Sequence, residues 1–217
     1  MKAVTIPGTE TLYKLEKKGI EKAQSMLADA FCDDPYIASL FEDQPIEAQK
    51  ARLLQRFSLE CALKHGLVYA SSENMEGIII FFTPDKLFIS DWEYLKLGVL
   101  SLNKKIHKNI VRLMGIYGKN TTRLHHLHAP FPHWYLFEIG VDPAHRGKHI
   151  TTQLLSPFLD YFDSRQMPCY LETHNEKNLS LYEHYGFRVL CKDSLPGTDK
   201  PQWCLLRDPQ LELAQLK

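Results

Sequence analysis

The chain has no excess of either charge. Lys plus Arg and Asp plus Glu each number 26 in 217 residues, so the formal net charge is zero. A balanced chain projects no field toward a polyanion, which argues against nucleic acid and anionic membrane as partners. Long hydrophobic runs are missing too. The longest aliphatic-aromatic stretch, Ile78 to Phe82, is far too short to span a bilayer, and Met1-Lys2-Ala3 leads into no apolar core of signal length. Cysteine is sparse and unpatterned: Cys32, Cys61, Cys169, Cys191 and Cys204 are odd in number and show neither a metal spacing nor a paired framework. That excludes a disulfide scaffold and fits a reducing, cytoplasmic setting. His125, His126, His128 and His133 cluster without a cysteine partner or a fixed helical pair, so no metal is expected. Neither G-x-x-x-x-G-K-S/T nor G-x-G-x-x-G occurs, which counts against a kinase-like or dinucleotide-binding enzyme. Internal repeats and low-complexity tracts are absent as well.

What is present suits one domain over residues 1–217, with 44% hydrophobic and 24% charged residues. Leu12 to Leu15 is a weak first strand. Apolar residues from Ile20 to Phe31 recur at three and four and predict a helix ending near Asp33-Asp34-Pro35; a second runs from Ile46 to Lys64. Leu67 to Ser71 and Gly77 to Phe82 read as an antiparallel pair, and the unbroken Ile78-Ile79-Ile80-Phe81-Phe82 calls for cover on both faces. Residues 85–130, with Trp92, Leu95, Leu100, Ile110 and Met114 among their apolar positions, predict a helical insertion between the third and fourth strands. From His133 the pattern alternates again: strand to Val141, helix from Gly147 to Ser164, strand from Pro168 to Thr173, helix from Glu176 to Tyr185, and closing strands at Phe187–Cys191 and Gln202–Arg207. The expected fold is a layered α/β (α+β) domain with a mixed, mostly antiparallel sheet flanked by helices.

Chemistry concentrates between Phe137 and Val189. The strand Phe137–Val141 ends at Pro143 and gives way to Ala144-His145-Arg146-Gly147-Lys148-His149-Ile150, which opens an apolar-periodic helix. The first amides of a helix lack internal partners and carry the positive end of the macrodipole, so such a turn is suited to a diphosphate. Gly147 lets the backbone come close, and four basic side chains stand nearby. Pro157 should kink this helix or split it near Gln153. Downstream, Asn175 occupies an N-cap position and Tyr182 follows seven residues later, two helical turns on, before Gly186 stops the helix.

Residues 134–191 resemble the core of the GCN5-related N-acetyltransferase (GNAT) superfamily. The resemblance rests on the Arg146-Gly147 turn and on Leu171-Glu172-Thr173-His174-Asn175 leading through Tyr182 to Gly186-Phe187. It implies acetyl-CoA as co-substrate, with 133–207 as the acyl-CoA-binding core. Main-chain groups around Ile139 and Val141 would meet the pantetheine arm. Arg146, Gly147, Lys148, His149, Ile150 and Thr151 would surround the diphosphate, Asn175 would order the site, and Tyr182 would donate a proton to the departing thiolate. Ala144 and His149 depart from the family pattern, which wants Gln or Arg at the first and Gly or Ala at the second.

The reaction so implied is direct attack by a neutral amine within a ternary complex. Glu138 ranks first as base, Glu172 second and His174 third. The acceptor is a small-molecule or peptide amine, its pocket shaped by 33–45 and 85–133. Asp33, Asp34, Glu42 and Asp43 are available to attract a cation, and Trp92, Trp134 and Trp203 are expected in the core or along a groove. The chain is expected as a monomer or homodimer. An inactive acyl-CoA-binding sensor or scaffold is the competing expectation, with Tyr182 counting against it.

Overall fold

The computed structural model describes residues 5–42 and 45–210; Met1-Lys2-Ala3 and Asp43 lie outside these, and the side chain of Leu100 is likewise not described. In chain order the elements are β1 (Tyr13–Lys14), α1 (Ile20–Ala30), α2 (Pro35–Leu40), α3 (Ala48–His65), β2 (Gly66–Ala70), β3 (Gly77–Phe82), α4 (Asp91–Lys96), α5 (Val99–Lys105), α6 (Lys108–His128), β4 (Trp134–Val141), α7 (Ile150–Ser164), β5 (Cys169–Thr173), α8 (Leu179–His184), β6 (Arg188–Ser194) and β7 (Pro201–Arg207). The strands form one seven-stranded sheet in the order β1-β2-β3-β4-β5-β7-β6, with β4 and β5 parallel and the other pairs antiparallel. The mixed, mostly antiparallel sheet and the helical insertion between the third and fourth strands are as expected.

The five residues Ile78–Phe82 are buried and alternate between two cores. Ile78, Ile80 and Phe82 pack with Leu27, Leu59 and Ala62 of α1 and α3. Ile79 and Phe81 pack with Leu154, Leu155, Phe158 and Phe162 of α7. A fully buried side chain of this size contributes roughly 1.5–3 kcal/mol, so β3 is the keel of the sheet. The insertion builds a third cluster in which Leu102, Ile106, Ile110 and Tyr117 meet Ile37 and Leu40 of α2 and Leu54 and Phe57 of α3.

Four local expectations are corrected. Asp34-Pro35 does not merely end α1: the Asp34 carboxylate accepts from the Tyr36 amide at 2.9 Å and Pro35 takes the first position of α2, where a missing N–H costs nothing. Pro157 does not split α7, which runs unbroken, and its ring lies against Gly8. The segment after Asn175 is a 3-10 turn, Glu176–Asn178, followed by the short α8, so Asn175 and Tyr182 are not two turns apart on one α-helix. Trp134 and Trp203 are buried, but Trp92 is 64% exposed, with the Lys96 ammonium over its ring at 5.4 Å.

Candidate active site

Pairing between β4 and β5 is limited to Trp134↔Cys169 and Tyr135↔Tyr170. Beyond those two rungs β4 continues to Val141 against β3, and β5 continues to Thr173 against β7. The strands therefore part, and the backbone groups of each that face the gap are left without a ladder partner. A bulge sits at the parting point: Phe81 pairs with Leu136 and Ile80 with Glu138, so Phe137 is an extra residue. It puts Phe137 and Glu138 on one face of β4. Phe137 packs edge-on to Phe82 and Tyr135, while Glu138 lies toward Gln55 of α3. Ile139, on the opposite face, joins the α7 core, and Val141 pairs with Gly77.

The turn after β4 is built by Asp142, whose carboxylate accepts from the Ala144 amide at 2.8 Å. Gly147 (φ 76°) and His149 (φ 60°) are both left-handed. At Gly147 an added Cβ would meet nothing within 4 Å, so this stretch of backbone faces open space. His149 is the residue before α7 and its backbone is left-handed, for which an L residue pays about 1–2 kcal/mol. The α7 hydrogen-bond pattern begins only with the Gln153 amide donating to the His149 carbonyl at 3.0 Å, so the helix starts at Ile150 rather than at Gly147. Gly77 lets that N-terminus settle on the sheet: a Cβ there would lie 2.5 Å from the Ile150 side chain. Lys148 and His149 are exposed, and Ile150 and Thr151 are half-buried. The open turn, the unpaired amides and the adjacent cations fit a diphosphate. Arg146 is partly committed elsewhere, since its guanidinium donates to the Ala30 carbonyl at the end of α1 at 2.9 Å.

On the other strand, Asn175 caps its 3-10 turn by accepting from the Lys177 amide at 3.1 Å. Tyr182 is buried in the α7 core, edge-on to Phe187 at 5.9 Å. Burial, with Asp34 and Cys169 nearby, pushes its phenol well above the usual range, so it stays protonated. α8 is held in place by Arg207, which donates to the Tyr185 carbonyl at 2.8 Å and grips Asp163 of α7 with two contacts of 2.6 Å.

The face of the sheet turned toward α1 and α3 carries the acids. Glu138 is half-buried; burial and the neighbouring Asp34 push its carboxyl up to about 8, with a hydrogen bond from Gln55 pulling the other way. Asp34 is itself raised by burial. Of the acidic stretch singled out in the sequence, Asp34 turns inward, whereas Asp33 and Glu42 are exposed. On β5 the inward residues on this face are Tyr170, Glu172 and then His174. Burial raises Glu172 to about 7 and lowers His174 to about 4. The phenols of Tyr135 and Tyr170 stand as donors toward Glu172 and pull its carboxyl the other way.

Two histidines of the cluster in the sequence complete this wall. His133 Nδ1 donates to the Phe131 carbonyl at 2.6 Å, which leaves its Nε2 bare to accept from His125 Nε2 at 2.5 Å. Bare Nδ1 of His125 then faces Glu172 Oε1 at 3.9 Å. Burial lowers His125 to about 3, so the imidazole is neutral. Among the described residues no three His, Cys, Asp or Glu are grouped to hold a metal ion. Tyr36, Gln55, Tyr135 and Tyr170 were not anticipated as site residues. The usable signal for the last was the alternation Tyr170, Glu172, His174 against the apolar Cys169 and Leu171.

Comparison with known proteins is consistent with this geometry. Residues 81–187 match the model of the acetyltransferase (GNAT) family. An uncharacterised N-acetyltransferase of Schizosaccharomyces pombe is 26% identical over 92% of this chain and 83% of its own length. Among solved structures, a histone acetyltransferase HPA2 and related acetyltransferase from Corynebacterium glutamicum superposes with a TM-score of 0.59 at 19% identity, covering 94% of this chain and 98% of the other. Arylalkylamine N-acetyltransferase 2 from Aedes aegypti gives 0.60 at 12% identity, over 92% and 98%. At these identities the two structures speak for the fold.

Proposed function

Because the chain belongs to the GNAT superfamily of acetyltransferases, we propose that it transfers an acetyl group from acetyl-CoA to a primary amine. The observation that carries this reading is the parting of β4 and β5 directly above Tyr135–Tyr170, with an open left-handed turn at one end and Glu138 at the bulge. In this reading the amides that open α7, with Gly147, Lys148, His149 and Thr151, hold the diphosphate. The unpaired edge of β4 around Ile139 and Val141 takes the pantetheine arm, and Asn175 orders the opposite wall.

An acceptor that enters as ammonium loses one proton before attack. The neutral nitrogen then forms the C–N bond, the C–S bond breaks, and the nitrogen sheds a second proton. Glu138 takes a proton from nitrogen: a carboxyl raised to about 8 is a better base near neutrality than an ordinary glutamate, because its pKa lies close to the working pH. Tyr182, held protonated by burial, supplies the proton for the departing thiolate. Holding both reactants in one cleft contributes through proximity, for which well-oriented reactions supply up to about 7–11 kcal/mol. The test is calorimetry of the full chain with CoA and acetyl-CoA, joined to thiol release over a panel of primary amines. Acetyl-CoA binding with amine-dependent thiol release is expected; binding with no release for any amine would overturn transferase activity.

A further inference from the structure

The helical insertion carries a charge that the chain as a whole conceals. Residues 94–137 contain seven Lys and Arg and no Asp or Glu, so in a chain of zero net charge the remainder is negative by the same amount. Four of these cations belong to a five-residue pattern, too short to be a structural repeat, that occurs twice on α6: Lys108-Asn109-Ile110-Val111-Arg112 and Lys119-Asn120-Thr121-Thr122-Arg123. The two units start eleven residues apart, three helical turns or about 16 Å, and therefore share a face. That face is the outer one. Lys108, Arg112, Lys119 and Arg123 are exposed, whereas Ile110, Tyr117 and Leu124 on the far side are buried.

Both units are built alike. The Asn109 Oδ1 accepts from the Arg112 guanidinium at 3.0 and 2.8 Å, and the Asn120 Oδ1 accepts from Arg123 at 3.2 and 2.9 Å. Each asparagine holds a flexible cation in a fixed direction, so less side-chain entropy remains to be lost when an anion arrives. Both units also adjoin a carboxylate of this chain: Arg123 donates to Asp193 at 2.6 Å, and the Asn109 amide donates to Glu42. Lys108, Arg112 and Lys119 have no acidic ion-pair partner among the described residues. Between the units stand Gly115 and Gly118, in mid-helix, where glycine lowers stability relative to alanine. An added Cβ at either would meet nothing within 4 Å, so packing inside the chain does not require them. They leave the helix backbone bare for a close approach.

We propose that the outer face of α6 is a docking surface for an acidic segment of a partner polypeptide. Carboxylates about 16 Å apart, some five residues of extended chain, engage the two Lys-Asn-Arg units while the segment crosses the glycines. Charge complementarity calls for an anion, and the extent of the face selects its kind. A nucleic acid or an anionic bilayer reaches well past one helix and would meet the net-negative remainder of the chain. The one ring on this face, His126, is already stacked on Phe88 at 4.3 Å, which leaves no free platform for a base. A short acidic segment meets the two units alone, and the contacts of Asp193 and Glu42 show carboxylates fitting them.

This surface is independent of acetyl transfer, and its test reads binding. Fluorescein-labelled deca-glutamate is titrated by anisotropy with the full chain at 0.1 M salt, where charges farther than about 10 Å are largely screened. Binding is expected, and Lys108→Glu with Lys119→Glu should weaken it about tenfold or more. Asn109→Ala with Asn120→Ala keeps every charge and frees both guanidinium groups; a loss of about threefold or more is expected. Lys14→Glu with Lys17→Glu makes the same charge change beside β1, the strand at one edge of the sheet, and should leave affinity within about twofold. All substituted side chains lie on the surface, and an unchanged far-ultraviolet circular dichroism spectrum shows each variant folded. Four results would each overturn the proposal: no binding of deca-glutamate, equal loss in the control beside β1, no loss in the asparagine variant, or tighter binding of an oligouridylate RNA or of phosphatidylserine vesicles.

Discussion

The two ends of the proposed cleft are built on opposite plans. At the end proposed for the diphosphate the structure is local and largely main chain: eleven consecutive residues, 142–152, supply the turn, the left-handed positions and the free amides, and much of the turn is exposed. At the end proposed for the acceptor, side chains gather from separate segments: Asp34 and Tyr36, Gln55, Tyr135 and Glu138, Tyr170 to His174, and His125 with His133. At the first end His149 takes a left-handed backbone where the resembled pattern has Gly or Ala. The second end concentrates shifted protonation in a small volume, which is where chemistry is expected.

The sharpest way to break this contrast is at Glu138. Glu138→Gln keeps size and hydrogen bonding but removes the base, and kcat/KM is expected to fall about 100- to 1,000-fold while calorimetry gives an unchanged CoA affinity. If CoA affinity falls in parallel, the two ends are not independent. Tyr182→Phe should cost turnover about 10- to 100-fold, again with CoA binding kept; equal loss of both would make Tyr182 a structural residue of the α7 core.

The pH dependence provides a third test. With Glu138 raised to about 8, kcat/KM should rise about tenfold per pH unit below a break near 8. Against the same amine, that break should be missing in Glu138→Gln. Stability should respond as well. Glu138 and Glu172, at about 8 and about 7 against 4.5 unfolded, bind more protons in the folded chain, so their contribution is lost as pH rises. His125 and His174, at about 3 and about 4 against 6.5, bind fewer, and theirs grows until pH 6.5. Opposing trends therefore cancel in part below 6.5, and the melting temperature should decline between pH 6.5 and 8. The smallest effect lies at the end proposed for the diphosphate. His149→Gly should relieve left-handed strain and raise stability by up to about 1 kcal/mol, read as a higher melting temperature; a drop would mean that the imidazole holds the turn by contact.

The same contrast explains what could be read from the sequence. β3, α7 and the turn between β4 and α7 announce themselves through contiguous patterns, namely an unbroken apolar strand, a helical period, and a proline and glycine bracketing basic residues. Glu138 and Tyr182 were identifiable as candidates because each lies at a fixed offset from that turn or from Gly186. Gln55, by contrast, is one polar residue on an otherwise ordinary amphipathic helix, and only the packing of α3 under β4 brings it to Glu138. Asp34-Pro35 carried two messages, a stop for α1 and a start for α2, and local pattern alone favoured the stop. The partnership of His125 with His133 spans a helix end and a loop, a closure that no periodicity encodes.

The extra residue at Phe137 has a consequence for how this scaffold can vary. A bulge adds length to a strand without reversing the inward and outward parity of what precedes or follows it. Deleting Phe137 would leave Tyr135 and Glu138 facing the same way as before and would remove only the kink. Such a one-residue indel would separate contour from composition: an identical set of acids and phenols on a straighter ribbon, free to zip further along its parallel neighbour and seal the groove.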